Sequence, residues 1–539
     1  MANPGAGASN AGTGGSAPTA GAGNAGAAGA GTAGAGGGSG GAAPNIGDSV
    51  LERNNHASRD GLFVQPKLTK AAIPMLTADT AFEKQDADPA KANSTGGHFS
   101  GNMWASPLYL ANGPGGKGAY FAVTTGNDVI AIDETTGVTV WKKNIGSAPT
   151  ANGVSCGDIH PLGILSTPVI DAASRTIYVA GAIGTNAIDH HEVHALNIED
   201  GTEKAGWPVS TAGLKSGNLM FNQPAQNQRS ALSLVGGKVY VAYGGHVGDC
   251  NIYHGWVLAI DTTDPTKKGA WATLGQGEAI WAAGGMASDG TSIFAVTGNS
   301  TNGVGDRANS DSEQVVRLSG LATFTRNNNN LFFPTAWQAM DSTDADFGSS
   351  NPIYLTVPGA TPPNYVAAVA KDGQLYLLNA SNLGGMAGAV LTVPVAPGEK
   401  PTDHPMNVRT SPTSFTDAKG THFVLSTEGG AACPGGGGGH SILSVLIKAG
   451  SPPTATSEWC APLNGTTTAP ITTMTNGTDN AAVWYVNNNK LTAVDGDTGA
   501  KLYESADSCN GARKWTSPIA ANGHIVVGGD GHLCSWSAK

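Results

Sequence analysis

Four side chains that suit a flat anion and a hard cation follow one another in the second half of the chain. They are Trp281 in GEAIWAAGG, Asn299 at the end of FAVTGN, Asp346 in DADFG and Lys371 in KDGQLYLLN. An indole offers stacking area at low entropy cost. Amide and carboxylate oxygens are the ligands that a hard cation prefers, and a lysine can polarise a carbonyl. Together they suit a planar, polyanionic, carbonyl-bearing cofactor held beside a cation.

Each of these residues also has a purely structural interpretation. Trp281 could pack between strands, and Asn299 could end a strand because Asn tolerates left-handed geometry. Asp346 and its neighbour Asp344 could be solvated loop carboxylates, and Lys371 could be a surface lysine before a turn. The order of the four residues on consecutive predicted strands favours a shared pocket.

Two further groups contain residue types that bind transition metals. One lies in DHHEVHALN, where alternation along a strand would place three side chains on one face: His190, Glu192 and His194. The other is a mixed cluster that we expect near the axis of the fold: His246, Asp249 and His254. Polar positions on a strand or loop explain both groups without a metal.

The elements that must position these side chains are short strands in a repeating pattern. An apolar strand opens each unit, a second β-rich strand follows, and a third ends in Ala or Leu, a gap, and Asp or Asn before a turn. The openings are ASPLYL (Ala105), STPVID (Ser166), RSALSL (Arg229), AAGGMASD (Ala282), NPIYLT (Asn351), TSPTSF (Thr410), TAPITT (Thr468) and TSPIAA (Thr516). A spacing of roughly 50–60 residues suits four-stranded blades around an axis. We therefore predict an all-β fold, an eight-bladed β-propeller of four-stranded antiparallel blades.

The repeat unit itself carries a family resemblance. Its clearest copy is AIDETTGVTVW (Ala131 to Trp141), in which Asp and Gly make a tight turn and the Trp packs between blades. From about Ser100 to Lys539 this repeat resembles that of the quinoprotein (PQQ-dependent) alcohol dehydrogenases. The resemblance implies an eight-bladed propeller that holds pyrroloquinoline quinone (PQQ) and Ca²⁺ at one end of its axis. Non-catalytic scaffold propellers carry similar blades.

The resemblance also implies roles for individual residues. Trp281 matches the family's tryptophan beneath the quinone, and Asn299 matches an asparagine whose oxygen binds the metal. Asp346, with Asp344 as the other candidate, matches the aspartate that takes the alcohol proton and contacts Ca²⁺. Lys371 stands where the family has a cation that polarises the quinone carbonyl.

The sequence departs from the family in three places. The family supplies a metal-binding Glu before the tryptophan, whereas the matching stretch GGHVGDCNIYHGWVLAID offers Asp249 as the candidate carboxylate, after a shift in alignment. The family's adjacent Cys–Cys pair is absent, and Cys156 in SCGDIHPLG is the nearest cysteine. The basic residue expected after that pair is also missing.

The first hundred residues contain none of the repeats. Residues 1–47 carry no charge and are almost entirely Gly, Ala, Ser, Thr, Asn and Pro, so we expect a disordered, lipoprotein-like tether. This stretch lacks the basic start and apolar core of a signal peptide, and we interpret the chain as a trimmed form whose tether joins a membrane anchor. Residues 48–99 are predicted to be a lead-in, in which GLFVQPKL (Gly61 to Leu68) supplies the strand that closes the ring. Residues 100–539 form the propeller.

The composition excludes some classes of partner and favours one kind of cellular compartment. The net charge of −11 argues against nucleic acid as a partner, and no run of about 18 apolar residues could span a bilayer. Six cysteines without CxxC spacing allow 15 pairings, and an oxidising compartment is favoured over buried free thiols. Sequence proximity favours Cys433–Cys460 and Cys509–Cys534, which leaves Cys156–Cys250. No CxxCH motif encodes a covalently attached haem.

Two functions are consistent with these observations. The first is an exported PQQ- and Ca²⁺-dependent dehydrogenase that oxidises a small-molecule or polymeric alcohol and passes electrons to a separate acceptor protein. The second is a non-catalytic propeller that acts as a cell-surface scaffold or binds proteins or glycans. The order of Trp281, Asn299, Asp346 and Lys371 favours the enzyme, and the missing Cys–Cys pair and shifted carboxylate favour the scaffold. For either function we expect the periplasm, the cell surface or the extracellular space.

Overall fold

The repeated sequence unit folds into a four-stranded antiparallel sheet. Its short β-branched and apolar runs alternate with turns at Gly, Asn and Asp, so the chain reverses after each strand. The structure is a computed structural model that describes residues 47–83, 97–301, 306–396 and 408–538. Within these ranges eight such sheets form the blades of a β-propeller, as predicted. The Gly/Ala-rich stretch predicted to be a tether lies outside the described residues, apart from Gly47.

Blades 1 to 4 follow one another along the chain, and in each the strands are given from the inner to the outer edge. Blade 1 consists of Leu108–Leu110, Ala119–Val123, Asp128–Asp133 and Thr139–Asn144. Blade 2 consists of Val169–Asp171, Thr176–Ile183, His190–Asn197 and Val209–Ser210. Blade 3 consists of Ser233–Val235, Lys238–Tyr243, Trp256–Asp261 and Lys268–Ala272. Blade 4 consists of Ala287–Ser288, Ser292–Val296, Val315–Ser319 and Leu331–Phe333, with Thr323–Phe324 and Gly385–Met386 added at its outer side.

Blades 5 to 8 complete the ring. Blade 5 consists of Ile353–Thr356, Asn364–Val369, Gln374–Asn379 and Leu391–Pro394. Blade 6 consists of Thr413–Thr416, Thr421–Thr427, Ser441–Lys448 and Thr454–Pro462. Blade 7 consists of Ile471–Met474, Ala482–Asn487, Lys490–Asp495 and Lys501–Glu504. Blade 8 consists of Ile519–Ala521, His524–Gly529 and His532–Ser537, and its fourth strand is Thr77–Ala78 from the start of the chain.

Helices are short and lie in the connections. The α-helices in the described residues are Thr80–Glu83 and Trp337–Ser342, and the 3₁₀ turns are Ile73–Met75, Pro114–Gly116, Gln223–Ala225 and Phe347–Ser349. A small hairpin of Lys215–Ser216 and Leu219–Met220 lies between blades 2 and 3. None of the helices described is both long and apolar enough to cross a bilayer.

The strand that closes the ring differs from the prediction. Gly61 to Leu68 does contain a strand, Leu62–Val64, but this strand pairs in parallel with Ile471–Met474 on the inner edge of blade 7. Pro66 has no N–H to continue a ladder. Blade 8 is completed instead by Thr77–Ala78, which pairs antiparallel with His532–Ser537.

Residues 50–65, here called the axial segment, run along the inner edges of the blades. Its backbone bonds in turn to blades 1, 2, 4, 5, 6 and 7, through Tyr109, Ile170, Ser288, Tyr354, Ser414 and Thr472. It reaches blade 3 through Arg59, whose Nη2 donates to the Leu232 carbonyl at 2.7 Å, and blade 8 through Gln65, whose Oε1 accepts from the Gly523 N–H at 2.7 Å. Arg59 is fully buried and also pairs with Glu52 at 3.0 Å. The segment therefore contacts all eight blades.

Apolar side chains fill the spaces between blades, and the tryptophan of the repeat takes part in this packing. Trp141 donates its Nε1 hydrogen to the Ile198 carbonyl of blade 2 at 2.8 Å, and Trp459 of blade 6 donates to the Gly496 carbonyl of blade 7 at 2.8 Å. The three disulfides have the pairing that sequence proximity favoured: Cys156–Cys250, Cys433–Cys460 and Cys509–Cys534.

Candidate functional site

A cavity of about 210 Å³ lies where segments of five blades converge. Some of its walls come from residues that lead into inner strands: Arg229, Trp281, Arg409 and Trp515. Others follow the ends of second strands: Gly245–Asp249 in blade 3, Asn299 in blade 4 and Lys371 in blade 5. In an antiparallel blade the start of the first strand and the end of the second lie at the same edge. The repeat therefore brings distant parts of the chain to one end of the propeller.

A buried ion pair forms one side of the cavity. Lys371 Nζ lies 2.9 Å from Asp346 Oδ2 and 2.8 Å from Asp344 Oδ1. It also donates to the Asp344 carbonyl at 3.1 Å. The Lys371 and Asp346 side chains are 5% and 7% exposed, whereas Asp344 is 34% exposed. One lysine thus faces two carboxylates, the inner of which is shielded from water.

Asn299 is adjacent to this ion pair. Its backbone N–H donates to Asp346 Oδ1 at 2.9 Å, which fixes the end of the second strand of blade 4 against the carboxylate. Asp346 therefore has one oxygen bound by a backbone donor and the other by Lys371. A carboxylate has about four lone-pair positions, so each oxygen can still take a further ligand.

Two tryptophans and an arginine form another side of the cavity. The rings of Trp281 and Trp515 meet nearly perpendicularly, with centroids 5.8 Å apart. The Arg229 guanidinium carbon lies 5.4 Å from the Trp281 centroid and 5.0 Å from the Trp515 centroid. Lys371 Nζ lies 5.8 Å from the Trp281 centroid. The indole of Trp281 is therefore contacted by cations from two blades.

Asp249 lies on the cavity wall in a loop held by a disulfide. Its Oδ1 accepts the Tyr253 hydroxyl hydrogen at 2.6 Å. Cys250 is bonded to Cys156, and the Gly157 N–H donates to the Val247 carbonyl at 3.0 Å. The loop that carries Asp249 is thereby tied to the connection between blades 1 and 2.

Burial and neighbouring charges shift the titration of these groups. Burial raises the pKa of Asp346, and the charge of Asp344 adds to this rise although Lys371 opposes it. Burial acts to lower the pKa of Lys371, but the attraction of Asp346 and Asp344 outweighs it and raises that pKa. Burial likewise raises the pKa of Asp249. The cavity thus holds carboxyl groups that bind protons more readily than free ones.

A further buried carboxyl group lies next to this cluster. Glu313 is fully buried, and its Oε2 accepts the Phe347 N–H while its Oε1 has no hydrogen-bond partner. Burial and the charge of Asp346 raise its pKa well above the ordinary value. Because Phe347 is the residue after Asp346, this contact helps to hold the segment that carries Asp346.

The structure brings together all the residues that the sequence proposed for the pocket. Trp281, Asn299, Asp346, Lys371 and Asp249 all line the one cavity. The carboxylates Asp249, Asp344 and Asp346 do not form a set of three with ligand atoms within 4.8 Å of one another. Among the described residues, the set of His, Cys or carboxylate groups that does so is Cys509, His532 and Cys534. Two of these three are joined in a disulfide.

The two other predicted clusters have different positions. His246 lines the cavity and contacts the Pro224 carbonyl at 3.1 Å, whereas His254 contacts the Thr273 carbonyl at 3.1 Å and does not line it. The blade 2 group shares one strand face, as alternation predicts: its His190 and His194 nitrogens lie 3.1 and 3.3 Å from the two oxygens of Glu192. These contacts with Glu192 give the blade 2 group a structural explanation.

Sequence reasoning did not single out four other residues of the wall: Arg229, Tyr253, Arg409 and Trp515. Arg229 opens the predicted unit RSALSL, and Trp515 directly precedes TSPIAA. Their position in the repeat was the available signal, because residues that precede the inner strands of blades 3, 4, 6 and 8 line the cavity. Arg409, which precedes TSPTSF, has the same place in its blade.

The fold is that of a quinoprotein alcohol dehydrogenase-like eight-bladed propeller. No family model matches the chain, and no curated protein matches it. Among solved structures it is similar to the quinohemoprotein alcohol dehydrogenase of Comamonas testosteroni, at 15% identity over 91% of this chain and 81% of that one, with a TM-score of 0.59. The quinohemoprotein alcohol dehydrogenase ADHIIG of Pseudomonas putida HK5 is 14% identical over 91% and 80%, with a TM-score of 0.61.

A third similar structure is a europium-containing methanol dehydrogenase, at 12% identity over 89% of each chain and a TM-score of 0.59. At these identities the likeness concerns the fold. What the cavity binds has to be argued from its own residues.

Proposed function

We propose that this protein is a PQQ- and Ca²⁺-dependent dehydrogenase that oxidises an alcohol in the axial cavity. The observation that carries the proposal is the convergence of Trp281, Asn299, Asp346 and Lys371, which come from two blades and up to 90 residues apart, on one cavity. If each of these four residues had only a structural role in its own blade, nothing would require their side chains to line the same cavity. The likeness in fold supports the same proposal.

The residues present fit a flat, anionic quinone. Trp281 supplies an aromatic surface on the wall of the cavity, and Lys371 supplies a cation beside it. Arg229 Nη2 is buried without a hydrogen-bond partner. Because buried donors are normally hydrogen-bonded, a ligand acceptor at this position would satisfy it. When bound, the quinone would supply the two-electron acceptor for the alcohol.

The oxygen donors fit a hard cation. Asp346 and Asn299 are the residues that would hold Ca²⁺, and Asp249 is the further carboxylate on the same wall. Ca²⁺ takes oxygen ligands in flexible geometry, so an incomplete cage of protein oxygens suits it when cofactor and water complete the shell. Lys371 is a single positive charge that faces the two carboxylates of Asp344 and Asp346, so a divalent cation would find further negative charge to bind beside it.

Asp346 is the proposed general base. Burial raises its pKa, and a carboxylate with a raised pKa is a better proton acceptor when it is ionised. Lys371 and the Asn299 N–H hold the two oxygens in place, so Asp346 is oriented before an alcohol arrives. Lys371 would also polarise the quinone carbonyl, as the family resemblance implies, with Asp344 as its second anchor.

The remaining parts of the proposal concern the cell. Three disulfides are expected of a protein that matures in an oxidising compartment, and we propose that the protein is exported. Because no covalent haem motif is encoded, electrons would leave to a separate acceptor protein. The substrate would be a small or polymeric alcohol.

The test is titration of the purified protein with PQQ, with and without Ca²⁺, followed by dye-linked alcohol oxidation. We expect a cofactor spectrum that changes on binding, higher thermal stability with Ca²⁺, and a loss of activity of about 10²–10⁴-fold in Asp346→Asn. Asp200→Asn, at an exposed turn of blade 2, is the matched control and should be fully active. If the protein neither binds PQQ nor gains stability from Ca²⁺, the scaffold function stands instead.

A further inference from the structure

Arg229 is a buried cation that the charge of Asp158 attracts through space, but no carboxylate of the described residues is in direct contact with it. Its side chain is 8% exposed, and its Nη2 atom is buried without a hydrogen-bond partner. Burial lowers the pKa of Arg229 to about 10, so the guanidinium stays charged at neutral pH. In the described part of the chain no carboxylate forms an ion pair with it.

The other cations of the cavity differ in this respect. Lys371 pairs with Asp344 and Asp346. Arg409 pairs with Glu428, which Lys514 also contacts at 2.6 Å. A buried charge without a hydrogen-bonded partner is costly, and the cation–π contacts with the two indoles next to Arg229 offset only part of that cost. The position of Arg229 therefore favours an anion that comes from outside the chain.

We propose that Arg229 binds a carboxylate of an aromatic ligand in this cavity and sets the direction in which that ligand lies. The guanidinium rests against Trp281 and Trp515, whose rings meet at 82°, so the two indoles limit the ways in which the side chain can turn. A planar fork held in this way presents paired N–H donors, which match a carboxylate better than a single point charge does.

The positions of Arg229 and Lys371 beside Trp281 indicate which class of ligand would fit. Arg229 and Lys371 lie 5.4 and 5.8 Å from the Trp281 centroid, so an aromatic ligand placed against this indole would lie close to both cations. A ligand with a carboxylate at one edge and an electron-rich oxygen at another satisfies both cations. The inference rests on the proposed function for the identity of the ligand, PQQ, but not for its class, an aromatic carboxylate.

The experiment compares PQQ binding by the wild type and two variants, Arg229→Gln and Arg229→Lys, followed by tryptophan fluorescence and calorimetry in the presence of Ca²⁺. Hydrogen bonds to a charged group are each worth about 1.5–3 kcal/mol, so we expect Arg229→Gln to weaken binding about 10–150-fold. Arg229→Lys should restore part of this loss, because it returns the charge without the fork. Arg175→Gln, on the surface of blade 2, is the matched control and should bind as the wild type does.

A second probe includes one comparison, ester against acid, that needs only the wild type and therefore does not depend on whether the variants fold. The trimethyl ester of PQQ keeps the ring but lacks the negative charges, so it should bind the wild type far more weakly than PQQ and should not distinguish the wild type from Arg229→Gln. Equal affinity of PQQ for the wild type and Arg229→Gln, or of ester and acid for the wild type, would overturn the inference while leaving the proposed function intact.

A third probe tests the anion site in the case where the proposed function has failed. If the wild type does not bind PQQ, the proposed function fails, and the redox-inactive aromatic anion benzene-1,2,4-tricarboxylate is titrated instead. Binding that is lost in Arg229→Gln would support the anion site for a different ligand. Absence of binding by both aromatic carboxylates would refute it.

Discussion

Gly298 lies directly against the carboxylate of Asp346. A Cβ atom at this glycine would stand 2.4 Å from Asp346 Oδ1, the oxygen that accepts the Asn299 N–H, and 3.4 Å from Trp281 Nε1. Because position 298 has no side chain, the carboxylate of Asp346 and the indole of Trp281 can both lie close to the end of the second strand of blade 4.

Gly298→Ala should displace Asp346 while the propeller remains folded. We expect dye-linked activity to fall by at least tenfold, because an ångström-scale misplacement of a catalytic group is costly, and stability to fall by about 1–3 kcal/mol from overpacking. The matched control is Gly439→Ala, where a Cβ meets no atom within 4 Å. Unchanged activity in Gly298→Ala would mean that the position of Asp346 does not matter for the reaction.

Lys371→Met tests the buried ion pair through stability. Removing the lysine leaves Asp346 buried without its counter-charge, which should cost about 3–5 kcal/mol in denaturant unfolding. The double variant Lys371→Met/Asp346→Asn should regain part of that loss, since it also removes the unpaired charge. Lys267→Met is the control, because that lysine is 67% exposed and water screens its pair with Asp264, so the unfolding free energy should hardly change.

The Cys156–Cys250 disulfide is predicted to hold the cavity wall as well as the fold. Replacing both cysteines by Ser should lower the free energy of unfolding by about 4.7 kcal/mol in the chain-entropy model, and should weaken PQQ binding because the loop that carries Asp249 is released. The Cys433–Cys460 pair closes a shorter stretch, with a sequence separation of 27 against 94, and does not line the cavity. Its double Ser variant should lose about 3.6 kcal/mol and bind PQQ normally.

Glu278 should make stability depend on pH. It is fully buried beside the cavity segment, accepts hydrogen bonds from Ser310 and the Asp311 N–H, and burial raises its pKa to about 7 from an ordinary 4.5. The folded state therefore binds a proton more tightly than the unfolded state, so this residue's contribution to stability falls as pH rises from 4.5 to 7.

Glu278→Gln should remove that dependence. Between pH 4.5 and 7 the unfolding free energy of the variant should rise relative to the wild type by up to about 3 kcal/mol. Denaturant melts at several pH values measure this difference. Glu504→Gln, at a side chain that is 45% exposed, is the control and should run parallel to the wild type; a parallel curve for Glu278→Gln itself would mean that Glu278 is ionised throughout.

The fold was predictable because it is encoded eight times. Each opening such as Thr167-Pro168 or Ser517-Pro518 directly precedes an inner strand, so one recognised unit predicts the rest. The closing strand was not predictable, because Thr77–Ala78 is only two residues long and lacks any repeat signal. This strand pairs with blade 8 because of the path that the chain takes after the axial segment, and its local sequence does not specify that partner.

The candidate site was predictable only in part, for a related reason. Asn299, Asp346 and Lys371 lie in segments that resemble a family pattern, so each could be proposed on its own. Arg229 and Trp515 are separated by 286 positions in the sequence (515 − 229) and meet through the closure of the ring. Their contact depends on the angle between blades, which no local pattern encodes.

The axial segment has a consequence for the order in which the protein can assemble. Residues 50–65 contact the inner strands of all eight blades, including blade 8 at the end of the chain. During synthesis they emerge first, yet most of their partners do not exist until hundreds of residues later. Blades can form one after another from local contacts, but the axial segment cannot take its final place before the last blade arrives. The slowest contacts to form should therefore be those of the axial segment, although its residues are made before the blades. In a chain cut before Ile519, this segment would lack its contacts with blade 8 even if the first seven blades had folded.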